Sequence, residues 1–460
     1  MKKSFSTISP VDGSVYCERT YADASDIEGT LASSAKAFKH WKKTSVEARA
    51  VICSRVVEYF ETHVEEIARE ITWQMGRPIT YSPFEVKGFK ERATHMIDIA
   101  AKELQDQEVT PLAGFKRFIR KEPLGTILVL SPWNYPYLTA VNAIIPAIMA
   151  GNTVLLKHAE QTPICAERFA SAFAFAEAPA GVFNYLHLAH EQIPGMIADP
   201  RIANVAFTGS VGGGAAIQQA IGSRFITAGL ELGGKDPAYV APDAAIRSAA
   251  ENLVDGAYFN AGQSCCGIER IYVHEAVYDA FVSDYQEITS AYIVGNPLDS
   301  ATTLGPMVRK SAAEKANSHL KDAIVKGGQA LIPTGTFPEQ EAPYFNPQAI
   351  VNANHDMLIM REESFAPVVG ITKVSSDEEA ISLMNDSDYG LTASIWTNDM
   401  DRALHLGDQI ETGTWFMNRC DYLDPALAWT GVKNSGKGCT LSALGYQYLT
   451  RPKSFHLKLS

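Results

Sequence analysis

Gly125-Thr126-Ile127-Leu128-Val129-Leu130-Ser131-Pro132-Trp133-Asn134-Tyr135-Pro136 runs from a short apolar stretch into a turn punctuated by two prolines. Similar stretches recur downstream: Thr153-Val154-Leu155-Leu156, Val182-Phe183-Asn184-Tyr185-Leu186, Val205-Ala206-Phe207 and Phe225-Ile226-Thr227-Ala228-Gly229-Leu230. Helix-length segments separate them over roughly Pro136–Met149, Pro163–Ala176 and Val211–Ile221, and Pro163 suits a first helical turn. This alternation predicts an α/β architecture, a parallel sheet with helices on both faces. Ligands of such sheets collect at the carboxyl ends of the strands, so the residues that follow each apolar run are the ones to read for chemistry.

A second α/β region extends from about Gly233 to Asn418. It has helix-like Ala244–Asn260 and Val277–Ala291 and strand-like Glu269–Val273 and Ala349–Val351. The first 110 or so residues read as mostly helical, Glu47–Ile71 for example, and are expected to wrap the first sheet. Phe115–Glu122 and Lys453–Leu459 alternate apolar with polar or basic residues. They are either a pair of edge strands that extends a neighbour's sheet or two solvated tails. At 460 residues the chain exceeds one hydrophobic core, which splits above about 250–300 residues, and two sizeable domains are expected.

Formal net charge is −12, and no dense Lys/Arg stripe offsets it, so nucleic acid is not an expected partner. Seven cysteines without C-x-x-C spacing fit neither a disulfide framework nor a zinc knuckle; reduced thiols in the cytoplasm fit better. The basic start Met1-Lys2-Lys3 lacks the apolar run of a signal peptide. The most apolar long stretch, Thr126 to Gly151, contains Ser131, Asn134, Asn142 and three prolines, which argues against a membrane span of about 20 residues. His187-Leu188-Ala189-His190 has loosely metal-like spacing without a third ligand, so no metal is expected.

Four segments carry candidate chemistry. In Phe259-Asn260-Ala261-Gly262-Gln263-Ser264-Cys265-Cys266 a thiol follows a glycine at the end of a helix-length segment. A lone buried cysteine is ordinarily a small hydrophobe, but two adjacent ones on a turn cannot both face a core. Glu231-Leu232-Gly233-Gly234-Lys235 puts a carboxylate at a strand terminus, where an ion-paired or capping Glu is the plainer alternative. Ser131-Pro132-Trp133-Asn134-Tyr135-Pro136 holds a carboxamide at another strand end. Phe207-Thr208-Gly209-Ser210-Val211-Gly212-Gly213-Gly214 is a glycine-rich strand-to-helix turn able to face a phosphate, although it is not G-x-G-x-x-G.

Taken together, P-W-N-Y-P, F-T-G-S, E-L-G-G-K, N-x-G-Q-x-C and E-x-F-x-P resemble the successive signatures of the aldehyde dehydrogenase superfamily across nearly the whole chain. The resemblance implies two Rossmann-like open parallel-sheet domains plus a small β oligomerisation element. Residues 1–112 and 125–232 would form the cofactor domain and residues 233–418 the catalytic domain. Residues 113–124 and 440–460 would form the oligomerisation element, and residues 419–439 a substrate-channel and return segment. It implies Cys265 as the nucleophile, Asn134 with the Cys265 N–H as oxyanion donors, and Glu231 as the base that hydrolyses an acyl-thioester. Glu231 favours a free acid product, because the CoA-acylating branch typically lacks it.

Expected cofactor contacts are Trp133, Lys157, Glu160, Gly209, Ser210, Glu363 and Phe365. A Glu160 carboxylate beside the adenosine ribose repels the 2′-phosphate of NADP. NAD is therefore the favoured cofactor and NADP a poorer one, with Lys157 and His158 available to soften the repulsion. The substrate channel would be lined by Tyr135, Thr139, Asp421, Tyr422, Leu423 and Trp429. Arg419 could meet a substrate carboxylate, although a surface role is the commoner one for arginine. A homodimer or homotetramer is the implied assembly, with a small-molecule aldehyde as substrate.

This chain departs from the pattern in two places. Ala366 stands where relatives usually have Gly, and Thr440 stands where many carry a second acid. Two other readings compete: a cysteine-dependent esterase or acyltransferase, and a catalytically retired structural protein on the same fold. No His lies in any signature segment, against the first; Cys265 and Glu231 are both present, against the second.

Overall fold

The computed structural model describes residues 3–332 and 343–459. Its first sheet has six strands in the order Gly436–Lys437, Thr227–Glu231, Ile202–Thr208, Thr126–Ser131, Thr153–His158 and Phe183–Tyr185. The five drawn from residues 126–231 are parallel. Gly436–Lys437 adds on antiparallel to Thr227–Glu231. Strands later in the chain than Thr126–Ser131 build outward on both of its sides, so the connection reverses beside it, where open α/β sheets bind ligands.

The quoted apolar runs are strands because every residue of Thr126–Ser131 and Thr153–His158 is buried. The most apolar stretch divides into one of these strands and the helix Pro136–Met149, which is buried almost all round. Ile144, Ile145 and Ile148 are fully buried there, each contributing about 1.5–3 kcal/mol relative to exposure. Among the described residues no helix is long and apolar enough to cross a membrane.

The second sheet has seven strands, ordered Gln329–Ala330, Gln348–Val351, Val368–Val374, Ile268–His274, Asp236–Val240, Thr392–Trp396 and Thr414–Met417. All are parallel except the first. Helices Ile246–Tyr258 and Tyr278–Ser290 pack on it close to their expected limits. The two alternating segments do pair: Phe115–Pro123 lies antiparallel to Thr450–Lys458, and the rings of Phe118 and Phe455 stack 4.5 Å apart.

The amino-terminal region is mostly helical, as read, with two departures. It opens with a hairpin, Ser4–Ile8 with Val15–Thr20. The single helix expected over Glu47–Ile71 is two, Val46–Thr62 and Val64–Met75. The break falls at His63, where the Thr62 hydroxyl bonds back to the Glu58 and Tyr59 carbonyls and the His63 ring to the Tyr59 carbonyl. Such local side-chain bonds compete with helix propagation. The strand expected from Phe225 starts at Thr227, leaving the Phe225 ring fully exposed.

Candidate active site

Four strand ends and one turn converge between the two sheets. The turn is the most constrained of them. Asn260, Ala261 and Gly262 follow one another at φ 55°, 56° and 65°, a left-handed run that costs roughly 1–2 kcal/mol at each non-glycine residue. It swings the chain out of the helix Ile246–Tyr258 and into Ser264-Cys265-Cys266. A Cβ on Gly262 would overlap the Ala366 carbonyl at 2.2 Å, and one on Gly234 would lie 2.7 Å from the Cys265 carbonyl oxygen. The second glycine of Glu231-Leu232-Gly233-Gly234 thus lets the thiol-bearing loop close on the neighbouring strand.

The two cysteines have different surroundings. Cys265 is half-buried, whereas Cys266 is buried and its thiol donates to Asp421 Oδ1 at 2.9 Å. Hydrogen bonding to Cys265, burial and the Asp421 carboxylate push the Cys266 thiol well up. Asp421 also accepts from the Ser264 hydroxyl at 3.2 Å. Expected along the substrate channel, this half-buried residue turns its carboxylate to donors on the thiol-bearing loop, as a desolvated charge requires.

Asn134 is held by residues that no motif flagged. Arg77 and Glu85 form a buried ion pair. Glu85 Oε1 accepts the N–H groups of Tyr137 and Leu138, both at 2.9 Å, and so caps the helix that follows Asn134. Arg77 donates to the Asn134 carbonyl at 2.5 Å and to Asn260 Oδ1 at 3.0 Å, with its guanidinium 4.6 Å from the Tyr135 ring centre. Asn134 Nδ2 in turn donates to the Gln263 carbonyl at 3.2 Å, which brings the carboxamide against the loop that carries Cys265.

Glu231 ends its strand with both carboxylate oxygens engaged. Thr208, on the adjacent strand, donates to Oε2 at 2.9 Å, and Thr440 donates to Oε1 at 2.5 Å. Burial raises the carboxyl above its ordinary range, while the hydrogen bonds from Thr440 and Thr208 oppose that rise. A cavity of about 30 Å³ adjoins it, lined in part by Ser131, Thr139, Trp429 and Thr440. That volume suits one or two water molecules. No hydrogen bond joins Glu231 to Cys265.

The expected cofactor residues lie along the same edge. Lys157 is 7% exposed, yet its side chain makes no hydrogen bond or ion pair among the described residues, and burial lowers its pKa. Glu160 is oriented by the Tyr21 hydroxyl, which donates to Oε1 at 2.7 Å. Ser210 caps the helix Val211–Ile221 by accepting from the Gly213 N–H, which leaves the Val211 and Gly212 N–H groups unbonded at the helix start. Gly209 donates to the Glu231 carbonyl. His158 is not available to a phosphate: its ring is buried against the Pro136 carbonyl and Thr162, and burial drops its pKa to about 4.

Among the described residues the Glu363 carboxylate accepts only the Gly234 N–H, at 3.2 Å, and burial raises it to about 7. The Phe365 ring stands edge-on to Trp133, 5.8 Å between centres. The loop bearing both residues hangs on Glu269, which accepts the Ser364 and Phe365 N–H groups at 2.8 and 2.9 Å and pairs with buried Lys235. A Glu and an Arg inside the strand Ile268-Glu269-Arg270-Ile271 were the available sequence signal: charges in a buried strand must find partners.

Of the other channel candidates, Thr139 and Trp429 share the cavity wall with Glu231. Leu423 packs on the first core. The Tyr422 hydroxyl donates to Glu91 at 2.5 Å, and exposed Arg419 stacks 3.5 Å over the Tyr422 ring, which occupies the guanidinium at the surface. Among the described residues no cluster of His, Cys, Asp and Glu could hold a metal ion.

A model of the aldehyde dehydrogenase family matches residues 1–455. An aldehyde dehydrogenase of Paenarthrobacter nicotinovorans is 36% identical over 454 residues, 98% of this chain and 99% of the relative. A succinate semialdehyde dehydrogenase of Escherichia coli that uses NAD(P)+ is 34% identical over 442 residues, 95% of each chain. Among solved structures, succinic semialdehyde dehydrogenase from Streptococcus pyogenes with NADP+ superimposes with a TM-score of 0.95 at 29% identity, covering 99% of this chain and 100% of that one. An NAD-dependent aldehyde dehydrogenase from Sinorhizobium meliloti gives 0.96 at 30% identity, covering 100% and 92%. The chain belongs to the aldehyde dehydrogenase family and oxidises an aldehyde to a carboxylic acid with a nicotinamide cofactor.

Proposed function

We propose that Cys265 is the nucleophile of this oxidation. The observation that carries the reading is the asymmetry of the two thiols: Cys266 is buried and bonded to Asp421, while Cys265 stays accessible on a loop held by Gly234 and Gly262. The Cys265 thiolate adds to the aldehyde carbonyl to give a thiohemiacetal. Asn134, tethered through Arg77 and Gln263, donates to the developing oxyanion together with the Cys265 N–H. When bound, the nicotinamide supplies the hydride acceptor. Oxidation leaves an acyl-thioester on Cys265, and Glu231 takes a proton from the water that hydrolyses it. The test is formation of reduced cofactor on mixing enzyme, NAD and an aldehyde. Cys265→Ser is expected to abolish it and Cys266→Ser to retain it; the reverse pattern would reassign the nucleophile.

Residues 1–112 and 125–232 form the cofactor domain in this reading, and residues 233–418 the catalytic domain. Residues 419–439 supply the channel and return segment. The donor set fits a dinucleotide: unbonded N–H groups at Val211 and Gly212, the unpaired Lys157, and the under-satisfied carboxylate of Glu363. Glu160, held by Tyr21, favours NAD over NADP. Residues 113–124 and 440–460 build the oligomerisation element, because Thr450–Lys458 is an edge strand with no partner on its outer side among the described residues. A homodimer or homotetramer follows. The seven unpaired thiols suit the reducing cytoplasm.

A further inference from the structure

A cavity of about 280 Å³ lies at the base of the paired strands Phe115–Pro123 and Thr450–Lys458, and it shares no residue with the site described above. Its walls come from elements far apart in the chain. Lys42 and Lys43 stand in the turn between the helices Ala24–Trp41 and Val46–Thr62, and Arg49 lies near the start of the second. Arg120 and Lys121 come from one of the strands and Arg451 from the other. These six cations face a single lining carboxylate, Glu122, in a chain whose formal net charge is −12.

The nearby acids are already shared. Glu122 has Arg451 at 3.8 Å and Lys453 at 3.1 Å, and Asp106, outside the cavity, takes Arg120. Lys121 donates to the Glu103 carbonyl. Lys42, whose ammonium lies 5.3 Å from the Phe38 ring centre, Lys43 and Arg49 make no ion pair among the described residues. Arg49 is the most constrained of the three: it is 6% exposed, and its Nε is enclosed without a partner. Gly151 makes room for it, since a Cβ there would overlap Arg49 Nη1 at 2.3 Å. Cys53, Tyr446 and Glu47 act on its charge. Burial pushes the Cys53 thiol up to about 12 and the Tyr446 phenol well up, so neither supplies an anion. Glu47 stands exposed in the first helical turn and forms no ion pair with it. A guanidinium taken from water without a paired charge is costly, and arginine does not escape the cost by losing its proton.

We propose that this cavity binds a small polyphosphorylated anion, held by Arg49 and by the ammonium groups of Lys42 and Lys43. Guanidinium and ammonium donors both suit phosphate oxygens, and cations arriving from a helical turn and from two strands suit a ligand with more than one phosphate. A long polyanion such as nucleic acid fits poorly, because the net-negative surface around a concave site repels it. The bound anion bridges the turn at Lys42 and Lys43 to the strand bases at Arg120 and Arg451. It thereby ties the strand pair to the helical layer, at a place where no substrate or cofactor residue stands.

The test is a calorimetric titration of the full chain with inorganic pyrophosphate at fixed ionic strength. NAD is kept saturating, so that the glycine-rich turn at Ser210 is not available to the probe. The expected result is one pyrophosphate per chain with a sub-millimolar dissociation constant, and weaker binding of orthophosphate. Lys43→Gln changes only an exposed side chain and should raise the dissociation constant about tenfold, the scale of one hydrogen bond to a charged group. Arg49→Lys keeps the charge and loses the fork, and should weaken binding as well. Absence of saturable binding in wild type would overturn the proposal. So would a dissociation constant indifferent to Lys42→Gln and Lys43→Gln combined, because the anion would then sit elsewhere.

Discussion

Thr440 donates a 2.5 Å hydrogen bond to Glu231 Oε1. The hydroxyl supplies a proton donor where a carboxylate would have competed for one, and with Thr208 on Oε2 it holds the Glu231 side chain from both sides. Burial alone would keep this carboxyl protonated to higher pH; the two threonines favour its ionised form.

Removing the Thr440 hydroxyl should therefore raise the Glu231 pKa further. A base that must be ionised is lost as pH falls through its pKa, so the acidic limb of kcat moves to higher pH. Thr440→Val is expected to shift that limb up by about one unit, the scale of one hydrogen bond to a charged group. Thr440→Ser should restore it. The check is a kcat–pH profile under conditions where thioester hydrolysis limits turnover; an unmoved limb in Thr440→Val would remove Thr440 from the mechanism.

Glu269 orders the loop that carries Glu363 and Phe365 by accepting the backbone N–H groups of Ser364 and Phe365. Glu269→Gln leaves Lys235 buried without its counter-charge, a loss of about 3–5 kcal/mol for a buried pair. A clear fall in Tm and a rise of roughly tenfold or more in the cofactor KM should appear together. Glu269→Gln with a normal Tm and cofactor KM would show that the loop holds itself.

Cofactor choice is predicted to follow Glu160. Glu160→Ser removes a carboxylate from beside the 2′ position, and should narrow the gap between NAD and NADP in kcat/KM while costing some NAD affinity. Tyr21→Phe, which frees Glu160 Oε1, should weaken NAD binding without making NADP the better cofactor. Because His158 is buried and neutral, of these two neighbours Lys157 is the one left to offset the phosphate charge. A wild type that prefers NADP, or a ratio indifferent to Glu160→Ser, would contradict this reading.

Much of the sheet architecture was legible because its strands are short apolar runs bounded by Gly and Pro, and its helices carry prolines at their starts. Pro136–Met149 and Pro163–Phe175 fall within their expected limits for that reason. The motif segments likewise marked which strand ends meet. Their supports were hidden. Arg77 with Glu85, Lys235 with Glu269 and Thr440 with Glu231 join residues 8, 34 and 209 positions apart, and a charge inside an apolar run announces that it needs a partner without saying which. The break at His63 and the hairpin Ser4–Ile8 depend on single side-chain bonds and on packing, which hydrophobic periodicity does not register.

The most direct test of the mechanism uses Glu231→Gln, in which hydride transfer can proceed once while hydrolysis has no base. The variant is mixed with NAD and excess aldehyde, quenched in acid, and its peptides are mass-mapped. The expected result is a burst of about one reduced cofactor per active site, with the acyl group recovered on the peptide containing Cys265 and assigned to that residue by fragmentation. An acyl group on Cys266, or wild-type steady turnover with no acyl-enzyme at all, would contradict the roles given to Cys265 and Glu231.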